Sequence, residues 1–389
     1  MKKSLIALAV LAASGAAMAQ SSVTVFGVVD EAVSYTNGGV NWNGINSGGN
    51  ATSRIGFRGV EDLGGGLKAN FWLEAGILAD SGSGQSGGAT GSGLEFKRRS
   101  TVGLEGGFGE VRLGRDLTEA YKAVSRYDVF GQVGFGVSRL WADGGVGAVN
   151  VFNPVTGVPT VTAAKAQSST QRVSNMVTYV SPNFSGFKAA VNYGFGEAND
   201  VTTGTYSNRA SRYFGGGVTY DNGPLSLGLS AERQNSGSNT FGADVTAWAL
   251  GGSYDLSVVK VSAAYRNSTA KYENVGAASD KDKLRGLYFG LSAPVGAAGE
   301  IKASYNRYDV KFEDGVIGDS AKLKADQFAL GYVHNLSKRT ALYGTYAYIK
   351  NKNKTIDGVQ ANLGATLGNG TLKNNGSQHG LQVGIRHAF

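Results

Sequence analysis

The chain closes on Leu381-Gln382-Val383-Gly384-Ile385-Arg386-His387-Ala388-Phe389. Leu381, Val383, Ile385 and Phe389 share one parity, with His387 the odd member. Gln382, Gly384, Arg386 and Ala388 share the other. A period of two describes a strand with one apolar face and one polar or small face. The segment ends on an apolar ring, although chain termini tend to fray. A closed sheet, by contrast, must pin its last strand to its first, because closure is what removes the edges. The stretch reads as the closing strand of a membrane barrel, with Phe389 as an assembly residue.

The other end of the chain reads as a processing segment. Lys2 and Lys3 precede the apolar run Leu5 to Leu11, and Ala17-Met18-Ala19 is a small-x-small cleavage pattern. This predicts a secretory signal peptide over residues 1–19 and a mature barrel over 20–389; the apolar run is too short for a spanning helix. Without Lys2 and Lys3, 35 of the 37 basic residues remain against 29 acidic ones, a formal charge of +6. There is no cysteine, so an exported chain of this size holds together without disulfides or thiolate metal sites. Five prolines and 60 glycines suit many strands and turns.

Alternation recurs outward from the closing strand. Leu67, Ala69, Phe71, Leu73 and Ala75 oppose Lys68, Asn70, Trp72 and Glu74. Leu225, Leu227, Leu229 and Ala231 oppose Ser226, Gly228, Ser230 and Glu232. Val23–Tyr35, Thr52–Glu61, Lys97–Glu105, Gln171–Val180 and Lys281–Ala293 read the same way, for about sixteen strands in all. Short turns such as Gly64–Gly66 and Leu256–Ser257 alternate with long polar connections such as Asn37–Asn50 and Asn351–Gly376. Two unlike sets of connections mean antiparallel neighbours with two unlike ends. The region from Leu117 to about Ser169 breaks the rhythm with a weakly helical start; a strand near Gly136–Val151 is either real or part of this long loop.

Enzyme chemistry finds no foothold. His334, His379 and His387 have no metal-ligand spacing, and no nucleophile elbow or phosphate-binding loop is present. No cofactor is implied, and dispersed, acid-interleaved basic residues on an exported chain argue against nucleic acid. Charges do recur inside strands, at Arg54, Arg58, Lys68, Glu74, Glu232, Lys260 and Arg266. A dry core could not hold them; a wide barrel with water inside could. Rings at strand ends (Tyr35, Tyr179, Phe195, Tyr220, Tyr265, Tyr305, Tyr332, Tyr348) predict interfacial girdles.

Four stretches carry a family resemblance: Val23-Thr24-Val25-Phe26-Gly27-Val28-Val29-Asp30; Ser53-Arg54-Ile55-Gly56-Phe57-Arg58-Gly59 with Glu61-Asp62-Leu63-Gly64; Phe108-Gly109-Glu110-Val111-Arg112-Leu113-Gly114-Arg115; and Val383 to Phe389. Together they resemble the general porins of Gram-negative outer membranes, in their beta-proteobacterial branch. The resemblance implies a sixteen-stranded antiparallel barrel whose third long loop, about residues 117–140, folds inward. It also implies a homotrimer in the outer membrane, contact with outer-membrane lipid and lipopolysaccharide, folding through the barrel-assembly machinery, and passage of ions and small hydrophilic solutes. By motif position Arg54, Arg98 and Arg172 match pore-wall arginines, with Glu119 and Asp128 as acidic loop residues. Arg58, Lys122, Arg126 and Arg139 are further lumen candidates. Arg98 and Arg99 are adjacent, so alternation admits only one to the pore. The resemblance picks Arg98 and leaves Arg99 for a subunit contact. The loop lacks the Pro-Glu-Phe-Gly-Gly stretch of the enteric pattern.

The function expected is passive diffusion with mild anion preference, since three wall arginines face few acids. The alternatives are a substrate-selective channel for a sugar or organic acid, with Tyr121, Tyr127 and Phe130 as an aromatic slide, and a non-conducting structural or adhesive barrel.

Overall fold

The computed structural model describes residues 22–85, 93–141, 148–152, 159–163, 171–196, 212–238, 241–274, 280–313, 322–352, 354–356, 359–363, 365–368 and 376–389; the leader segment lies outside them. Sixteen strands make one wall. They run β1 (Ser22–Asn37), β2 (Arg54–Gly64), β3 (Leu67–Leu78), β4 (Arg99–Gly106), β5 (Gly109–Leu117), β6 (Arg172–Val180), β7 (Phe187–Gly194) and β8 (Tyr213–Asn222). The second half is β9 (Leu225–Ser238), β10 (Phe241–Asp255), β11 (Lys260–Asn274), β12 (Asp280–Val295), β13 (Gly299–Glu313), β14 (Lys322–Asn335), β15 (Thr340–Lys352) and β16 (Ser377–Ala388). Each pairs antiparallel with the next.

β16 returns to β1, in register from Val28↔Ala388 to Asn37↔His379. One step further, Gly27 N donates to the Phe389 carbonyl oxygen at 3.1 Å and Phe389 N to the Gly27 carbonyl at 3.0 Å. Gly27 is needed here for space. A side-chain carbon at this position would overlap the Phe389 ring and lie 2.7 Å from the Arg54 carbonyl oxygen. The terminal ring covers a bare stretch of backbone on the outer face.

The wall sorts its residues by alternation. On β16 Val383 is 56 % exposed and Gln382 1 %. Leu227, Leu229, Leu250, Phe289, Leu291, Phe328 and Leu330 all face outward. Inward stand Ser230, Glu232, Ser262, Arg266, Asn306 and Gln327. Rings mark both borders of the apolar band. Tyr179, Tyr220, Tyr332 and Phe389 lie near the short turns, while Tyr35, Phe195, Tyr265, Tyr305 and Tyr348 lie toward the long loops. Several pair across strands, as Phe187 with Tyr220 (4.3 Å between centroids) and Tyr305 with Phe328 (4.7 Å).

Beyond the upper girdle the polarity of β12–β15 inverts. The outward positions become Arg285, Arg307, Lys324 and Lys350, while Leu284, Val310, Leu323 and Ile349 turn inward. There they join Phe130, Phe135, Leu363 and Leu367 in an apolar core inside the barrel mouth. These strands have 16, 15, 14 and 13 residues, more than the roughly 9–11 that a tilted strand needs to cross a bilayer. The surplus stands in the headgroup layer and above.

Two connections differ from their composition. Asn37–Asn50, Gly/Asn/Ser-rich and expected as a loop, contains a strand, Trp42–Ser47, paired with β1 from Thr36↔Trp42 to Glu31↔Ser47. Asp30 then draws the following turn inward, accepting from Gly49 N (3.1 Å), Asn50 N (3.1 Å), Ala51 N (2.6 Å) and the Tyr343 hydroxyl. The strand weighed near Gly136–Val151 is Ala148–Phe152, in a small four-stranded sheet apart from the wall.

Phe389→Ala should retain both backbone bonds but uncover Gly27. The ring is 45 % exposed, so the loss should be about 1–2 kcal/mol, below the ~3–5 kcal/mol of a fully buried ring. Urea titration of the folded form in vesicles checks it; an unshifted midpoint contradicts the role.

Candidate pore constriction

The third long loop enters the barrel where β5 ends. Thr118 N donates to the Gln171 carbonyl at 2.9 Å, fastening the loop's entry to its exit. The Thr118 hydroxyl accepts from Tyr121 N at 3.2 Å and caps a short helix, α1 (Glu119–Ser125). Ala120, Ala123 and Val124 are buried against β8, β9 and β10. Inner-wall glycines make this possible. A side-chain carbon at Gly217 would meet Ala123 at 2.5 Å, at Gly251 Tyr127 at 2.6 Å, at Gly286 Leu140 at 2.8 Å and at Gly331 Phe130 at 2.8 Å. Wall glycines and loop side chains interdigitate, so the loop lies flat on one side of the lumen.

Polar clamps complete the seat. Arg126 donates through both terminal nitrogens to Asp221 at 3.1 and 3.0 Å. Arg139 Nε donates to Gln327 Oε1 at 2.7 Å and its Nη2 to the Thr366 carbonyl at 2.8 Å. Asp128 organises the bend, accepting from Phe130 N (2.9 Å), Gln132 N (3.0 Å), Ser138 N (2.8 Å) and the Tyr288 hydroxyl (3.1 Å). Burial pushes the Asp128 carboxyl above its ordinary range, against the pull of these donors. Burial pulls the Arg139 guanidinium below its usual value.

Across from α1, Arg54, Arg98 and Arg172 line a polar cavity of ≈ 420 Å³, faced by Tyr121, Ser125, Arg126 and Gln132. Arg98 Nε donates to Glu74 Oε1 at 2.6 Å, and Arg54 Nε lies 3.9 Å from the same oxygen. Arg172 Nε donates to the Arg98 carbonyl at 3.0 Å. Two of the three guanidinium groups thus share one wall carboxylate, and the third is held by a backbone carbonyl. Below them Arg58 lies over Phe26 and Trp72, 5.3 Å from each ring centroid.

The three arginines expected together are together. The acids are placed otherwise. The Glu119 carboxylate faces the wall, accepting from Arg112 Nη2 at 2.6 Å and Lys122 Nζ at 2.9 Å. Asp128 borders the cavity, but its oxygens are taken up by the bend. Lys122 also reaches Asp116 at 2.8 Å; it, Arg126 and Arg139 anchor the loop. Tyr121, Tyr127 and Phe130 are buried in that packing and form no exposed slide. Arg99, expected at a subunit contact, stands on the lumen face instead. Its Nε donates to Thr101 Oγ1 at 3.0 Å, and its guanidinium lies 4.6 Å from the Trp72 ring. Alternation misleads at this point because the regular ladder begins at Arg99. Arg98 precedes it and reaches the lumen from irregular backbone. Two functional acids, Glu74 and Asp116, escape notice as site residues, although the inward parity of β3 and β5 marks both.

The family model described as Gram-negative porin matches residues 5–354. Outer membrane porin protein 32 of Delftia acidovorans is 45% identical over 395 residues, covering 100% of both chains. An outer membrane porin protein of Bordetella pertussis is 33% identical over 438 residues, again covering 100% of both. Among solved structures, an anion-selective porin from Comamonas acidovorans superposes with a TM-score of 0.75 at 39% identity, covering 95% of this chain and 100% of that one.

Gly251→Val should push Tyr127 off the wall and loosen the loop, at a cost of about 1–3 kcal/mol. Single-channel records should show larger and noisier conductance; wild-type conductance and noise would refute the interdigitated seat.

Proposed function

This chain belongs to the Gram-negative porin family, and on that premise we propose that its channel passes small anions more readily than cations. It is an outer-membrane barrel that admits ions and small solutes by passive diffusion; family and fold point to a channel rather than an enzyme. One observation carries the anion preference: the cavity lining holds Arg54, Arg98, Arg126 and Arg172, and its sole acid among the described residues is the buried Asp128. Glu74 offsets part of the arginine charge, and Asp221 engages Arg126. Arg172 has no carboxylate within bonding distance among the described residues. The surplus positive charge attracts anions to the neck and repels cations. The narrowing on the α1 side sets the size limit. The Comamonas acidovorans porin that superposes on this chain is anion-selective, which supports the same reading.

Reversal potentials in a salt gradient test it. Anion preference is expected, strongest at low ionic strength, because salt screens the lining charges. Arg54→Gln and Arg98→Gln should each lower the anion-to-cation permeability ratio about two- to threefold, as for a unit charge several ångströms from the ion path in water. Cation preference in the wild type would overturn the assignment, and unchanged ratios in both variants would overturn the placement of these arginines.

Three partners complete the reading: an identical pair of subunits in a homotrimer, outer-leaflet lipopolysaccharide, and the barrel-assembly machinery; residues 1–19 serve as the export leader. The trimer rests on membership of the porin family. Purified channels should close in three equal conductance steps per insertion; single-step closure would contradict the trimer.

A further inference from the structure

Asp30 stands on the lumen face of β1 and is fully buried. Among the described residues no base lies within ion-pair distance of it, not even Arg386, its register partner on β16. A buried carboxylate without a cation is costly unless donors surround it. Here three of the donors come from one turn. Gly49, Asn50 and Ala51 are consecutive, and each aims its backbone N–H at the Asp30 oxygens, with the Tyr343 hydroxyl of β15 as the fourth donor. Successive N–H groups curled about one anion form a nest. The Asp30 backbone grips the same segment again. Its N–H donates to Ser53 Oγ at 2.9 Å, and that hydroxyl lies 3.1 Å from the Asp30 carbonyl oxygen, to which it donates.

The turn held in this way stands at the neck. Asn50, Ala51 and Thr52 line the same ≈ 420 Å³ cavity as Arg54, Arg98 and Arg172. The tip of the third loop comes down on the turn. Gly134, at φ +64°, passes so close that a side-chain carbon there would overlap the Gly49 carbonyl oxygen. One residue on, Phe135 N donates to Gln382 Oε1 at 2.8 Å, Gln382 Nε2 to Ser34 Oγ at 3.1 Å, and Ser34 Oγ to Asn46 Oδ1. Asn46 belongs to the first long connection, so two wall side chains tie that connection to the third loop. The turn also reaches the arginine wall. Ser53 and Arg54 follow it directly, and Arg54 Nη1 donates to the Thr52 carbonyl at 3.5 Å.

We propose that Asp30 is a positioning residue of the channel, holding the turn at residues 49–52 in the neck as an abutment for the tip of the third loop. The neck then has two loop walls, and its width depends on Asp30 as well as on the α1 side. Asp30 is buried and meets no permeating solute; it acts through the turn and through Arg54. The effect on selectivity rests on the anion preference assigned above, whereas the effect on width does not.

The test uses the full folded protein, inserted in planar bilayers and in vesicles. Asp30→Asn keeps the shape of the side chain but leaves one acceptor oxygen for the four donors. It should raise single-channel conductance and shift the exclusion limit for neutral sugars upward in vesicle swelling. Thr52→Asp leaves the nest intact and puts a carboxylate in the neck. It should lower the anion-to-cation ratio about two- to threefold relative to the wild type, as for a unit charge several ångströms from the ion path in water. Phe187→Ala removes a ring stacked on Tyr220 at the outer face of β7; it should lower stability and leave conductance and exclusion limit at wild-type values. Inserted Asp30→Asn channels with wild-type conductance and exclusion limit would make the residue merely structural and overturn the proposal. So would the same shifts in Phe187→Ala, or an unchanged ratio in Thr52→Asp. Cation preference in the wild type would overturn the anion assignment alone, because the sugar limit is blind to charge and each ratio is read against the wild type. Should Asp30→Asn not fold, Tyr343→Phe, which removes one of the four donors, should shift the sugar limit upward by less, and no shift would overturn the proposal.

Discussion

A backbone that crosses hydrocarbon finds no water there, so every N–H and C=O must be satisfied within the protein. A sheet meets that requirement only by having no edge. The pairing of β16 with β1, carried to the last residue by the reciprocal Gly27–Phe389 bonds, is therefore the contact on which the other strand pairings depend. It also fixes the side-chain code. Once the strands close into a ring, one parity meets lipid and the other meets the interior all the way round.

A ring of sixteen strands leaves an interior too wide for wall side chains to fill. The third loop narrows it, and the wall prepares the seat with glycine on one side and polar clamps on the other. Gly217, Gly251, Gly286 and Gly331 open the pockets that Ala123, Tyr127, Leu140 and Phe130 enter. The opposite wall keeps its long basic side chains standing free of the loop. The channel is thus asymmetric in cross-section, packed on one flank and charged on the other.

Strand alternation was legible because membrane and lumen impose it over more than half the chain, and the repeat survives interruptions such as Gly27 and Glu31. The arginines Arg54, Arg98 and Arg172 were legible through short motifs that open a strand or directly precede one. The loop was not. Glu119 and Asp128 read as acids facing a pore, yet hydrogen-bond partners decide where a carboxylate turns, and Arg112 and Tyr288 lie on other elements than the acids they engage. Arg99 was misplaced for a local reason, since alternation holds only inside a ladder. The strand Trp42–Ser47 was hidden by its glycine and asparagine content, which speaks for a loop; tertiary pairing with β1 overrode that preference.

The charge of the neck follows from how the loop is held. Asp128 serves the bend, Glu119 and Asp116 bind Arg112 and Lys122 at the loop's root, and Asp221 holds Arg126. Each clamp that keeps the passage narrow also removes an acid from the field a permeating ion meets. The arginines across the gap have no such duty, and of the three only Arg54 and Arg98 lie against a carboxylate, Glu74. Narrowness and positive potential are thus two results of one set of contacts. The formal charge of the chain has little part in it, because Coulomb terms from residues beyond a Debye length are screened while those at the neck are not. A carboxylate moved from a clamp into the cavity would widen the neck and weaken its field together.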